Sequence, residues 1–271
     1  MTLDRRDFIF LAAGTIAAHE SLPWGRAATT SADPRILSLQ LVSGATVAEM
    51  KEFYQGLLGL AVTDQDDRRL TVQAGKTPIT FTHRDDGLRR PFYHFAFNIP
   101  ENKVVASRDW QRERTPLMTI PSRLRDPDYP DDVVHFRNWN AHSVFFLDPA
   151  GNVVEYIGRH DLDNAASGSF SSKDILYASE IGLVVDDVPR AAGQVGKLAG
   201  VSEYRGRSDV FTAMGDEGGL LLVMKRGRNL NFDSSSQEMA AGIFPTEVRV
   251  KGPRAGRFSF PDYPYHLAVE E

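Results

Sequence analysis

Apolar and polar residues along this chain come in short bursts that switch between a period of two and a period near 3.6. From Ile36 to Val42, Leu37, Leu39 and Leu41 share one face and Ser38, Gln40 and Val42 the other. That alternation predicts a strand with one buried face. Ser43-Gly44 breaks it. Thr46 to Leu58 then carries Val47, Met50, Phe53-Tyr54 and Leu57-Leu58 at helical spacing. Thr46 is placed to cap the start and Gly59 stands just past the end. Short strands are predicted at Leu60–Thr63, Arg69–Gln73 and Pro78–Thr82, so the unit is one strand, one helix and three strands.

The pattern then restarts. Phe92 to Ile99 alternates, with Phe95, Phe97 and Ile99 on one face and His94, Ala96 and Asn98 on the other. Pro100-Glu101-Asn102 opens a helix that runs to Glu113. Residues 114–140 are polar, rich in proline and without periodicity, and a connection of that length is usually functional. The second unit closes with a hairpin: an apolar run from His142 to Leu147, the turn Asp148-Pro149-Ala150-Gly151-Asn152, and a returning strand to Ile157. Glu155 lies in the middle of that apolar return. A lone strand Glu normally faces solvent; buried, it needs a partner or a cation. A third unit begins at Ile175, with a strand over Glu180–Val185, a helix through Leu198, and strands over Asp209–Met214 and Gly219–Met224. A fourth is shorter, with extended segments at Pro245–Lys251 and Arg257–Leu267 and no helix. A recurring module of this kind outweighs any local assignment.

Composition narrows the function classes. The 271 residues carry a net charge of only −5, which favours neither nucleic acid nor an anionic membrane as partner. The chain has no cysteine, which excludes disulfides, thiolate metal sites and a cysteine nucleophile. At the N-terminus, Arg5-Arg6 precede a short run rich in alanine and apolar residues, and small residues follow near Ala27-Ala28. That order predicts a twin-arginine export signal over residues 1–28 and a periplasmic or secreted protein.

Three stretches carry a family resemblance: Phe53-Tyr54-Gln55-Gly56-Leu57-Leu58-Gly59-Leu60, Phe92-Tyr93-His94-Phe95-Ala96-Phe97, and Phe146-Leu147-Asp148-Pro149-Ala150-Gly151-Asn152-Val153-Val154-Glu155. Together they resemble the vicinal oxygen chelate superfamily, the fold of glyoxalase I, bleomycin-resistance proteins and extradiol ring-cleavage dioxygenases. The resemblance implies an α+β fold of paired βαβββ modules that form curved mixed-sheet half-barrels in two lobes. The expected division is residues 35–160 as a first lobe of two modules, 161–174 as a linker, and 175–271 as a second, abbreviated lobe. Leu37, Leu39, Leu41, Phe53, Phe95, Phe97, Ile181 and Leu183 are the expected core.

Metal ligands in that family come from the first and last strands of paired modules. Carried over, His94 falls on the first-strand slot of module two and Glu155 on its last-strand slot. Gln40 is the donor on the first strand of module one. Thr80 and Thr82 stand where its last strand would offer a carboxylate, and His83 is expected on the wrong face. Glu180 occupies the first-strand slot of module three. Its last-strand counterpart is Leu222 or Met224, so Glu180 is expected to be structural. His142 is the candidate for acid–base work beside the cavity, with packing as the plainer role. The resemblance thus implies one divalent metal (Fe, Mn, Zn or Ni) bound by His94, Glu155 and Gln40. An aromatic cavity bounded by Phe92, Tyr93 and Tyr156, with segment 114–140 closing over it, is expected to take a small-molecule substrate or ligand.

Departures from the family pattern bear on the reaction. The phenol expected of an extradiol enzyme is replaced by Phe145, His135 lies too far upstream, and a second glutamate of the glyoxalase I type is missing from module one. Three functions remain open: a metal-dependent lyase, isomerase or dioxygenase acting on a small oxygenated metabolite, a metal-free protein that sequesters a small molecule, or a scaffold that uses its second lobe for protein contacts. A homodimer is left open. No nucleic acid and, once the signal is removed, no membrane is expected as partner.

Overall fold

The computed structural model describes residues 29–30, 33–85, 91–232 and 239–271. The predicted export segment lies outside them. The strands of the two large sheets are β1 (Ile36–Ser43), β2 (Ala61–Gln65), β3 (Arg69–Ala74), β4 (Thr77–His83), β5 (His94–Ile99), β6 (Val134–Phe136), β7 (Ala141–Leu147), β8 (Val153–Arg159), β9 (Tyr177–Val185), β10 (Glu203–Arg207), β11 (Phe211–Asp216), β12 (Gly219–Lys225), β13 (Thr246–Lys251), β14 (Gly256–Ser259) and β15 (Tyr265–Glu270). The α-helices are α1 (Val47–Lys51), α2 (Val104–Arg112) and α3 (Val188–Ala199). No described helix is long and apolar enough to cross a membrane.

Each expected module is present. Thr46 caps α1 through its hydroxyl, and Glu49 returns the bond to the Thr46 amide. This capping box satisfies two backbone donors that would otherwise lack partners. The helix widens into a π-helical turn over Glu52–Leu57 and stops at Gly59, whose φ of +69° a side chain would disfavour. In every module the first strand lies parallel to the last: β1 with β4, β5 with β8, β9 with β12 and β13 with β15.

The two large sheets divide the modules differently from expectation. One sheet has seven strands in the order β14-β15-β13-β1-β4-β3-β2 and the other eight in the order β10-β11-β12-β9-β5-β8-β7-β6. Module two therefore pairs with module three, through β5 antiparallel to β9, and module one pairs with the abbreviated module four, through β1 antiparallel to β13. Modules one and two do not share a sheet, which corrects the expected first lobe of residues 35–160. The repeat shows which elements recur. It carries no record of which first strands meet, and neighbours in sequence are only more often neighbours in space.

Apolar side chains from both sheets and the helices merge into one large core that holds Leu39, Leu41, Phe53, Phe95, Phe97, Ile181 and Leu183. Leu37 is half-buried. The register of β1 against β13 shifts at this point, between Arg249 and Val250.

Candidate metal centre

On the eight-stranded sheet, alternation decides which side chains converge. Ala96 of β5 pairs with Glu155 of β8 on one side and with Glu180 of β9 on the other. The two carboxylates flank a methyl group across the central strand, and His94 stands two residues earlier on the same face. Their donor atoms gather: His94 Nε2 lies 3.4 Å from Glu155 Oε2 and 3.9 Å from Glu180 Oε2. Across from His94, the position on β9 is Gly182. A Cβ there would fall 2.9 Å from Met224 Cε and 3.4 Å from the His94 carbonyl oxygen.

The surroundings orient the imidazole. Nδ1–H donates to the Val153 carbonyl at 3.0 Å, which leaves the Nε2 lone pair aimed at the carboxylates. Burial, aided by the nearby charge of Arg228, pushes the imidazole down to about 4. Both carboxylate side chains are 2% exposed. Burial and the charge of Glu180 push Glu155 well above the usual carboxylate range, and burial also raises Glu180. Arg159, on β8, donates Nη2 to Glu180 Oε1 and supplies one compensating charge. Glu155 Oε1 finds no hydrogen-bond partner among the described residues. Nearby buried polar atoms, Arg159 Nε and Nη1, both side-chain atoms of Asn98 and the Tyr177 hydroxyl, are likewise unsatisfied. Such a group of atoms requires water or a polar ligand.

A divalent cation fits these residues. One neutral nitrogen and two carboxylates form an oxygen- and nitrogen-donor set suited to Fe, Mn, Zn or Ni. The cation would also compensate two buried negative charges that a single arginine cannot.

The structure brings His94 and Glu155 together and adds Glu180, which the sequence reading had treated as structural. The signal was the equivalence of Glu180 and His94 as first-strand residues of modules two and three. It was masked by pairing module two with module one. Gln40 is exposed on β1 in the seven-stranded sheet, between Thr80 of β4 and Glu247 of β13, and does not join the cluster. His83 hydrogen-bonds the Ala45 carbonyl. His142 faces away from Glu155: Ser143 and Phe145 take the site face of β7, and His142 packs outward against Tyr129 and His135.

The walls are aromatic, but the cavity is tight. Phe145 stacks beside His94 and Phe232 meets Phe145 edge-on. Segment 114–140 does cover this face, placing Met118, Ile120, Phe136 and Trp139 over it. Trp139 also lies under the Arg159 guanidinium. A narrow cleft lined by Phe92, Tyr93, His94, Gly182, Met224 and Phe244 leads to the imidazole. Tyr156 is not part of it. It packs in the core against Phe97 and Phe146 and donates its hydroxyl to Gln111.

Comparison with known proteins supports the fold. No family model matches the sequence, and no curated protein matches it. Solved structures do match. A candidate dioxygenase from Bacillus subtilis superposes with a TM-score of 0.55 at 16% identity, covering 88% of this chain and 86% of that one. A variant of glyoxalase I from Zea mays gives 0.51 at 14% identity, covering 87% and 93%. The fold is the one that the resemblance to the vicinal oxygen chelate superfamily implies, with paired βαβββ modules in two lobes and one module abbreviated.

Proposed function

We propose that the protein is a metal-dependent enzyme of this superfamily, with one divalent ion held by His94, Glu155 and Glu180. The observation that carries this reading is the Nε2 lone pair of His94 facing two buried carboxylates, with Glu155 Oε1 left unsatisfied. A bound divalent ion would act as a Lewis acid toward an oxygen ligand. Around it, Arg159 and Asn98 have donors to spare for a second oxygen of the same molecule, while Phe145 and Trp139 exclude water. The substrate class is therefore a small metabolite with two neighbouring oxygens, reached through the cleft beside Phe92. The structural neighbours carry the names dioxygenase and glyoxalase I, in keeping with lyase, isomerase or ring-opening chemistry on such molecules.

Turnover across dicarbonyl, catechol and epoxide panels, before and after chelation and after metal return, tests this reading. Activity lost on chelation and restored by metal supports it. A second reading rests on Arg159, which already offsets the charge of Glu180: a metal-free protein that sequesters an oxygenated ligand. Unchanged affinity after chelation with no turnover on any panel would favour that reading.

Residues 1–28 support a further part of the proposal, export of the folded protein to the periplasm or beyond. Fractionating cells that express the unmodified chain or Arg5→Lys/Arg6→Lys tests it. The unmodified protein should leave the cytosol and the double variant should stay. An unmodified protein retained in the cytosol would contradict export.

A further inference from the structure

A second group of titratable side chains lies on the outer face of the eight-stranded sheet, away from the centre just described. It joins Glu101, ahead of α2, Asp126 in the long connection, His135 on β6, His142 on β7 and His160 just past β8. The contacts run in series. His160 Nδ1 is 2.8 Å from Glu101 Oε2, and His142 Nδ1 is 2.8 Å from His160 Nε2. His142 Nε2 is 3.2 Å from Asp126 Oδ2, and His135 Nδ1 is 2.9 Å from the same oxygen.

With every ring neutral, proton placement along this series ends in a conflict. The Glu101 carboxylate can only accept, so His160 carries its proton on Nδ1 and presents a lone pair at Nε2. His142 must then carry its proton on Nδ1. Its Nε2 is left with a lone pair pointing at Asp126, which is also an acceptor. Two acceptors at 3.2 Å repel unless a proton or a cation lies between them. His135 adds a second sign of an unfilled position. Its Nδ1 is buried and, despite its closeness to Asp126, makes no well-formed hydrogen bond. Asp126 Oδ2, His135 Nδ1 and His142 Nε2 thus converge on one point, and the three atoms lie within 4.8 Å of one another.

We propose that Asp126, His135 and His142 form a second metal site, which takes a zinc-like divalent transition ion. Two imidazoles and a carboxylate suit zinc, with a fourth position open to water. The His160–Glu101 pair is the outer support that fixes the His142 tautomer, the usual role of a carboxylate behind a metal-bound histidine. The Asp126 and His135 side chains are 16% and 17% exposed, so an ion can enter from solvent. Asp126 belongs to the connection that covers the first site, and His135 and His142 to paired strands at one edge of the sheet. The ion would therefore pin that cover to the sheet.

The test is zinc titration of chelator-stripped full-length protein near neutral pH, read by calorimetry and by metal content after gel filtration. Unmodified protein should bind two equivalents. Asp126→Asn and His135→Asn should each bind one, as should Glu155→Gln, which removes the other site. Glu101→Gln should retain the outer site with affinity reduced by about 10- to 100-fold. In the Glu155→Gln protein, zinc should slow tryptic cleavage after Arg123 and Arg125. If Asp126→Asn and His135→Asn bind as much zinc, as tightly, as the unmodified chain, or if zinc leaves that cleavage unchanged, the outer site does not exist. Because Glu155→Gln reports only the inner site, the two can fail separately.

Discussion

Arg159 gives its guanidinium to Glu180 and leaves Glu155 to face His94 without a cation of its own. Both partners of that ion pair are buried, Arg159 completely. Breaking a buried pair from one side strands the other charge, which costs about 3–5 kcal/mol. Arg159→Met should destabilise chelated protein by that amount in denaturant unfolding. A divalent ion should recover much of the loss, because it would then be the compensating charge. A variant as stable as the unmodified chain, or one that metal does not rescue, would count against the charge accounting.

Glu155 itself should cost stability when no metal is present. Its folded pKa is raised, by burial first and then by Glu180. A carboxyl raised in this way contributes most below its unfolded value of 4.5 and loses that contribution as pH climbs through the folded value. Glu155→Gln should therefore be more stable than the unmodified chain after chelation, by on the order of 1–3 kcal/mol. The gap should widen from pH 5 to pH 8. Thermal unfolding with and without chelator checks the sign, and a gap that narrows with rising pH contradicts it.

The turn of the hairpin that carries Glu155 is tied to module one. Asp148 accepts from the backbone amides of Ala150 and Asn152, from the Asn152 side chain, and from the Tyr54 hydroxyl at 2.7 Å. Tyr54→Phe removes one donor from a buried carboxylate and should cost about 1–3 kcal/mol. Asp148→Ala leaves several donors bare and should cost more. The reverse order in equilibrium unfolding would show that the turn does not depend on this carboxylate.

Much of this arrangement was legible in the sequence, because local physics decided it. The period-two runs marked β1 and β5, the turn Asp148–Asn152 marked the β7–β8 hairpin, and Thr46 with Gly59 bracketed the first helix. His94 and Glu155 were visible as polar residues on otherwise apolar strands. Two short strands of the eight-stranded sheet were missed. β10 is mostly charged, and β6 has three residues inside the long connection, too few for a period to register. Glu180 was misjudged for a different reason. Its role depends on β9 lying beside β5, a long-range pairing that no local pattern encodes. Gln40 was chosen by the same misplaced pairing. His142 was assigned to the cavity because its strand was right but its face was not: alternation from Phe145 turns it outward.

The central claim is that His94, Glu155 and Glu180 share one ion. Elemental analysis of protein purified without chelator, beside His94→Ala, Glu155→Gln, Glu180→Gln and Gln40→Ala, tests it most directly. Each of the first three variants should carry one equivalent less of a divalent metal than the unmodified chain, and Gln40→Ala should carry the same amount. Equal metal content in the unmodified chain and in all of the variants would contradict the account.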